Sequence, residues 1–214
     1  TGKLSAFAPN ALVIHIDIDP AEVGKNVRVT VPIVGDARRV LHALAREVEP
    51  ATHTAWVREI DELRKEHPCA PPASDRLLPQ YVIRELCEAT DGRAVVVSGV
   101  GQHQMWAAQY YGYKRPRQWV TSGGLGTMGF EIPAAIGAQF ASDTPVWSIC
   151  GDGGFQMTLQ ELATATESKL PVKIALFNNG YLGMVRQWQE LFFDNHLKDV
   201  PIPGPNYVDL AGSF

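Results

Sequence analysis

The chain has 214 residues, which is enough for one large domain or for one domain with part of a neighbour. Its residues are 45% hydrophobic and 20% charged, a composition typical of soluble globular proteins that excludes a disordered or fibrous chain. The formal net charge of -4 leaves no basic excess, so we expect no nucleic acid partner and no binding to anionic membranes.

Three cysteines, Cys69, Cys87 and Cys150, are widely spaced and form no Cys-x-x-Cys pair. This spacing predicts neither a disulfide framework nor a zinc site. No apolar run reaches the roughly 18–20 residues that span a bilayer, and the first residues do not resemble a secretion signal. We therefore expect a cytoplasmic protein. Because the chain begins without Met and ends where an apolar pattern resumes, we also expect it to be part of a longer protein.

The first third of the chain has the pattern of the end of an α/β domain. Residues 11–18 are apolar and β-branched, which predicts a strand, and apolar residues at helical spacing predict a helix over residues 37–48. A second helix is predicted over residues 55–66, and the proline-rich segment 67–74 is typical of a domain boundary. We therefore predict three parts, listed in chain order: the end of a central domain (1–48), a helix and linker (49–78), and an incomplete C-terminal domain (79–214).

The remaining chain alternates helices and strands. A helix that starts at Pro79 is followed by an apolar strand near residues 94–97. Continuous apolar strands separated by helices indicate an α/β fold, in which a parallel sheet has helices on both faces. The further elements expected here are strands over 119–121, 146–150 and 172–177, and helices near 105–110, 132–140 and 159–168.

Ligands of such sheets bind beyond the carboxyl ends of the strands, and three of these ends carry unusual residues. Two glycines stand in segment 98–104, which is also consistent with an ordinary flexible loop. Gly-Asp-Gly-Gly at 151–154 is also an ordinary turn signal, and Asn-Asn-Gly at 178–180 also suits a left-handed turn. Each segment alone is weak evidence for a site.

The spacing of Asp152 and Asn179 favours a metal site. The two residues lie 27 positions apart, close to the ~30 residues of one strand-helix-strand unit, so we expect both at the same sheet edge. One carboxylate and one amide oxygen suit Mg²⁺, which commonly completes its coordination with water and substrate phosphates. We therefore predict a Mg²⁺-bound diphosphate ligand.

These segments resemble the acetolactate synthase (acetohydroxyacid synthase) family of thiamine diphosphate enzymes. The Gly-Asp-Gly and Asn-Asn pair resembles the thiamine diphosphate motif, which marks a superfamily, and other segments narrow the resemblance to this family. These segments are HIDIDP at 15–20, GQHQMWAAQ at 101–109, KRPRQW at 114–119, SGGLGTMG at 122–129 and LGMVRQW at 182–188. The resemblance implies a thiamine diphosphate-binding fold over residues 79–214.

The resemblance also implies a set of cofactor ligands. Asp152, Asn179 and the main-chain carbonyl of Tyr181 would hold Mg²⁺. The diphosphate would be bound by four residues of the two glycine-rich strand ends, namely Gln102, His103, Gly153 and Gly154. His103 could equally be an imidazole at the protein surface.

Four more residues would shape the rest of the pocket. Met128 would hold the cofactor bent, the Gly126 carbonyl would accept a hydrogen bond from its 4′-amino group, and Met184 would line the same pocket. Trp188 would shape the site of the second substrate. Outside this context Met128 is typical of a core residue and Trp188 of a half-buried aromatic anchor.

The activity implied is decarboxylation of pyruvate and its ligation to a second 2-keto acid, pyruvate or 2-ketobutyrate, at the start of branched-chain amino acid biosynthesis. The activating glutamate of the family lies on an N-terminal domain that this chain does not contain, so we predict no catalytic residue here and an inactive fragment. Asp17 and Asp36 would border FAD, although both also suit turns. The resemblance further implies a homodimer or homotetramer and a possible small regulatory subunit.

Three positions depart from the family pattern: Glu131 replaces an aliphatic residue, Gly154 a serine and Tyr181 a histidine. Glu131 puts the packing of the helix below the cofactor in question. Alternative functions are another thiamine diphosphate enzyme, such as pyruvate oxidase or a 2-keto acid decarboxylase, or a non-catalytic binding module of the same fold. A dinucleotide-binding domain is disfavoured, because no Gly-x-Gly-x-x-Gly opens a helix with an acidic residue about 20 positions further on.

Overall fold

The computed structural model describes residues 2–214, which form two compact units divided between Lys65 and Glu66. The division falls inside the segment 49–78 that we predicted as helix and linker. Most of that helix belongs to the first unit, and the proline-rich stretch belongs to the second.

The first unit contains a parallel pair of short strands, β1 (Ile14–Asp17) and β2 (Val31–Val34), in which His15 lies opposite Pro32. Helix α1 (Ala37–Glu47) follows, and Asp36 caps it by accepting a hydrogen bond from the Arg39 backbone N–H at 3.0 Å. Helix α2 (Thr54–Glu66) comes next and reaches the division between the units. β2 was not predicted from the sequence; it contains Pro32, and proline inside a short run disfavours a strand except at a sheet edge.

The second unit is built from four parallel strands in the spatial order β4-β3-β5-β6. The strands are β3 (Val95–Ser98), β4 (Trp119–Thr121), β5 (Val146–Gly151) and β6 (Lys173–Phe177). The helices are α3 (Pro79–Ala89), α4 (Gln102–Tyr110), α5 (Glu131–Phe140), α6 (Asp152–Thr158), α7 (Leu162–Glu167), α8 (Gly183–Phe192) and α9 (Tyr207–Ala211).

Helices cover both faces of this sheet. Val96 packs in one buried cluster with residues of α3 and α4, whereas its neighbour Val97 packs with Ala135 of α5. Ile149 and Cys150 of β5 divide in the same way between the two faces. Successive side chains of a strand point to opposite faces, so these continuous apolar strands are buried on both sides. The predicted α/β class with a two-sided parallel sheet is confirmed.

Two predicted elements differ in detail. For the Gly-Asp-Gly-Gly segment an ordinary turn was the local alternative to a ligand site, and in the structure α6 begins within it at Asp152, directly after β5. The predicted helix over 159–168 is instead a single 3₁₀ turn, Leu159–Glu161, followed by the short α7. Within the described residues 2–214, no helix is both long and apolar enough to cross a membrane.

Candidate active site at the strand ends

The connections after β3 and β5 leave the sheet in opposite directions. From β3 the chain runs through α4 to β4 on one side, whereas from β5 it runs through α6 and α7 to β6 on the other side. Two neighbouring strands whose connections diverge create a crevice at their carboxyl ends, and ligands of open α/β sheets bind in such crevices. The topology alone therefore places a binding site between the starts of α4 and α6.

Asp152 and Asn179 meet at this edge of the sheet. Gly151 pairs with Phe177 in the register of β5 and β6, so Asp152 directly follows one strand end and Asn179 lies two residues after the neighbouring strand end. The Asp152 carboxylate is almost completely buried and accepts hydrogen bonds from the backbone N–H of Gly180 at 2.6 Å and of Gly153 at 3.0 Å. Asn179 Oδ1 accepts the backbone N–H of Tyr181 at 3.0 Å. The two side-chain oxygens that we predicted as metal ligands thus belong to one hydrogen-bonded loop.

A cavity opens beside this loop and is bordered by α4, the start of α6 and the start of α8. It brings together most of the residues predicted from the sequence for the cofactor. Those that line it are Gln102, His103, Met128, Asp152, Gly153, Gly154, Asn179, Tyr181 and Met184. The ligand roles of these residues stay predictions.

His103 contributes a neutral imidazole to the cavity. The residue is 7% exposed, and its Nε2 atom has no hydrogen-bond partner among the described residues. Burial lowers the pKa of His103 to about 4, because the protein interior disfavours the charged form. A buried ring nitrogen without a partner is uncommon and is compatible with a ligand that completes its hydrogen bonding. The alternative of a surface imidazole is wrong for this residue.

Gln102 and Gly153, which we predicted as diphosphate ligands, have protein partners in this structure. Gln102 Nε2 donates to Gln187 Oε1 of α8 at 2.8 Å, which joins the starts of α4 and α8. The Gly153 N–H donates to Asp152 Oδ1. An added Cβ at Gly153 would lie 3.1 Å from Leu182 and Ile202 side-chain atoms, so glycine lets the chain pack closely here.

The charges around the cavity fit a metal-bound diphosphate. Over residues 2–214, the lining contains no lysine or arginine and one carboxylate, that of Asp152. A diphosphate held here needs its negative charge balanced by a cation, and one carboxylate with amide and carbonyl oxygens is a donor set that Mg²⁺ accepts. Within the same described range, no group of three or more His, Cys, Asp or Glu residues could hold a metal. This absence does not bear on the predicted Mg²⁺ site, because Asp152 is the one His, Cys, Asp or Glu residue among its predicted ligands.

The loop around Tyr181 is held by a later segment of the chain. Tyr181 forms an antiparallel bridge with Pro201, the Leu182 N–H donates to the Val200 carbonyl at 2.9 Å, and the Ile202 N–H donates to the Gly180 carbonyl at 2.9 Å. Gly180 has a φ of +69°, a conformation that glycine adopts without strain. The Tyr181 ring also lies under the guanidinium of Arg186, 4.3 Å from the ring centroid. These contacts fix the main chain that carries the predicted third metal ligand.

Four predicted residues lie outside the cavity lining. Gly126 is exposed on the loop before α5, and Trp188 is 56% exposed on α8, where it packs against Phe192. Asp17 and Asp36 belong to the first unit, at the carboxyl ends of β1 and β2. Asp17 Oδ1 accepts the Asp19 N–H at 2.9 Å, so both aspartates have the local turn and cap contacts of the alternative interpretation. Their cofactor roles stay predictions.

Several apolar residues of the site were not predicted from the sequence. Trp106, Phe177 and Leu182 line the cavity, and Ile202 packs against Gly153. Trp106 follows His103 by three positions in α4, so the helical spacing could have identified it. Ile202 comes from a segment without periodicity and could not have been identified in that way.

Comparison with known proteins agrees with this geometry. Residues 99–214 match the family described as the thiamine pyrophosphate enzyme, C-terminal TPP binding domain, and residues 1–44 match its central domain. The chain belongs to the thiamine pyrophosphate enzyme family. The first match covers the strand ends, α6 and the loop around Asn179, which are the parts that form the cavity.

Among characterised proteins, the chain is similar to acetolactate synthases. It is 51% identical over 225 residues to acetolactate synthase of Mycobacterium leprae and 48% identical over 224 residues to the acetolactate synthase large subunit of Corynebacterium glutamicum, with 99% of the chain covered in each case. It is 48% identical over 201 residues, or 90% of the chain, to the chloroplastic acetolactate synthase of Arabidopsis thaliana. The chain spans 36% of the length of the two bacterial relatives and 30% of that of the plant relative.

Proposed function

We propose that the chain supplies the diphosphate-binding half of the active site of an acetolactate synthase. The observation that carries this proposal is the meeting of Asp152 and Asn179 beside a cavity with no lysine or arginine in its described lining. The identity of about half of the residues with acetolactate synthases supports the choice among thiamine diphosphate enzymes. The enzyme would be a transferase that decarboxylates pyruvate and joins the two-carbon unit to pyruvate or 2-ketobutyrate.

In this proposal the chain binds and orients the cofactor, and the cofactor provides the reactive group. Bound thiamine diphosphate supplies the electron sink that lets a 2-keto acid lose CO₂ and react with a second one. Asp152, Asn179 and the Tyr181 carbonyl would hold Mg²⁺, and His103 Nε2 would hydrogen-bond to the diphosphate. Met128 and Met184 would exclude water from the apolar side of the cavity.

The proposed enzyme has further features besides the diphosphate site. The activating glutamate, the dimer or tetramer partner and a small regulatory subunit follow from the resemblance to acetolactate synthases, whereas the cytoplasmic location is proposed from the sequence pattern of this chain. FAD would contact Asp17 and Asp36 at the strand ends of the first unit. Replacing either aspartate by alanine should lower the bound flavin measured by absorbance at 450 nm on the order of tenfold, and unchanged flavin would reject the contact.

Product analysis tests the proposed activity. The complete enzyme is incubated with pyruvate, thiamine diphosphate and Mg²⁺, and its products are separated by chromatography. We expect 2-acetolactate, and a second product when 2-ketobutyrate is added. Acetaldehyde or acetyl phosphate as the main product would instead support a decarboxylase or a pyruvate oxidase, and cofactor binding without any product would support a non-catalytic module.

A further inference from the structure

Glu131 is a buried acid for which the proposed function has no role. It is the first residue of α5 and is 0% exposed. Both of its carboxyl oxygens lack a hydrogen-bond partner among the described residues. Burying a carboxyl group without hydrogen-bond partners destabilises the folded protein. We therefore expect the glutamate at this position to have a role that offsets this cost.

Two glycines make the space that the Glu131 carboxyl occupies. An added Cβ at Gly99 would lie 2.6 Å from Glu131 Oε1 and nearer still to Oε2, and an added Cβ at Gly154 would also clash with Oε1. Neither glycine has a positive φ, so the backbone conformation itself would accept any residue. Glycine is required at both positions because the carboxyl fills the space that a side chain would need.

The two glycines belong to the two segments that border the cavity. Gly99 directly follows β3 and leads through Gly101 into the start of α4, and Gly154 lies in the first turn of α6. The carboxyl of Glu131 therefore lies between these two backbones, behind the surface that the cavity presents. A side chain in this place limits how closely the two segments approach each other.

We propose that Glu131 is a positioning residue whose buried carboxyl sets the distance between the 99–101 backbone and the first turn of α6, and thereby the width of the diphosphate cavity. This inference rests on the proposed function for the identity of the ligand. The packing of the Glu131 carboxyl against Gly99 and Gly154 does not depend on the identity of the ligand, because it follows from the distances in the structure. Glu131 acts through the backbone and does not line the cavity itself.

A double-mutant cycle in the complete enzyme tests this role. The variants are Glu131→Ala, Gly154→Ala and the combination, and the readouts are the thiamine diphosphate Kd in Mg²⁺ and the thermal midpoint without cofactor. We expect each single variant to weaken cofactor binding about tenfold. The double variant should bind at least as well as Gly154→Ala, because the added methyl group then meets no carboxyl.

Two further variants separate positioning from mere folding. Glu131→Gln has the same shape, so it should retain the cofactor Kd within about twofold. Gly137→Ala is the matched control, since it makes the same substitution within α5 and its added Cβ meets nothing within 4 Å. It should leave both readouts unchanged or raise the midpoint, because alanine is the better helix former.

Additive effects of Glu131→Ala and Gly154→Ala on Kd and midpoint would overturn the proposal. So would a lower midpoint of Glu131→Ala with an unchanged cofactor Kd, which is the result of a purely structural role. If the unmodified enzyme bound no thiamine diphosphate, the proposed function would fail. The thermal midpoints of the variants would still show whether the effects of Glu131→Ala and Gly154→Ala on stability depend on each other. If the Gly154→Ala protein does not fold but the Glu131→Ala/Gly154→Ala protein does, the result would support a direct packing contact between the two residues, because the second substitution removes the carboxyl that the added methyl group meets.

Discussion

Replacing Glu131 by glutamine should change how the stability of the protein depends on pH. Burial raises the pKa of Glu131 from 4.5 to about 7, and the nearby backbone N–H groups of Glu131 and Gly129 oppose this rise only in part, because neither forms a hydrogen bond of good geometry with the carboxyl. The folded protein therefore keeps this proton between about pH 4.5 and pH 7, while the unfolded chain loses it. Stability from this group is fully present below pH 4.5 and is lost as the pH rises through 7.

The size of the effect follows from the two pKa values. A change from 4.5 to about 7 corresponds to about 3 kcal/mol in the free energy of unfolding. Glutamine has the same shape and does not titrate, so the Glu131→Gln variant should not show this loss. Cys150 is a titratable group that interacts with Glu131, and its fully buried thiol stays protonated because burial raises its pKa.

The assay is urea unfolding of the complete enzyme without cofactor at pH 5 and pH 8, followed by tryptophan fluorescence. Four of the five tryptophans of this chain, namely Trp106, Trp119, Trp147 and Trp188, belong to the unit that contains Glu131. Between pH 5 and pH 8, the unmodified protein should lose roughly 2–3 kcal/mol more than Glu131→Gln, because a small part of the loss has already occurred at pH 5. A difference below about 1 kcal/mol would refute the reasoning, since it would mean that the buried carboxyl finds a charge-stabilising partner.

Three other substitutions test individual residues of the site. Trp188→Leu should change the product ratio from pyruvate and 2-ketobutyrate several-fold in competition assays and leave the cofactor Kd within about twofold, because Trp188 lies outside the cavity lining; an unaltered ratio would reject its role. Tyr181→Phe should retain Mg²⁺ affinity within about twofold by titration, since only the main chain is needed and the ring can still pack under Arg186; a tenfold loss would show that the hydroxyl matters. His103→Phe should weaken thiamine diphosphate binding on the order of tenfold with little change in the thermal midpoint, because the lost Nε2 atom has no described protein partner; unchanged binding in calorimetry would exclude His103 as a ligand.

Much of this fold could be predicted because its strands are apolar on both faces. The runs around Val96 and Ile149 indicated a buried parallel sheet, and the 27-residue separation of Asp152 and Asn179 indicated neighbouring strand ends. The start of α6 at Asp152 could not be predicted, because Gly-Asp-Gly-Gly favours a turn locally and the packing of Phe155 against α5 favours the helix. Tertiary contacts decided between the two.

The environment of Glu131 is a second feature that could not be predicted from the sequence. Its residue type marked it as unusual, but its position gave no indication that its carboxyl lies against Gly99 and Gly154, which are 32 and 23 residues away. The 200–202 segment is similar, because its hydrogen bonds to the Gly180–Leu182 loop join parts of the chain without any periodic pattern. Contacts of this kind depend on how elements pack and are not encoded in local spacing.

The central claim is that the β5 and β6 strand ends bind thiamine diphosphate through a divalent cation held by Asp152. Calorimetric titration of the cofactor into the complete enzyme, with Mg²⁺ and with EDTA, tests it most directly when it is done for the unmodified protein and for Asp152→Ala. The account predicts saturable binding that requires Mg²⁺ and is abolished in Asp152→Ala, because the site loses the one carboxylate in its described lining. Equal affinity in EDTA, or in the Asp152→Ala variant, would contradict it.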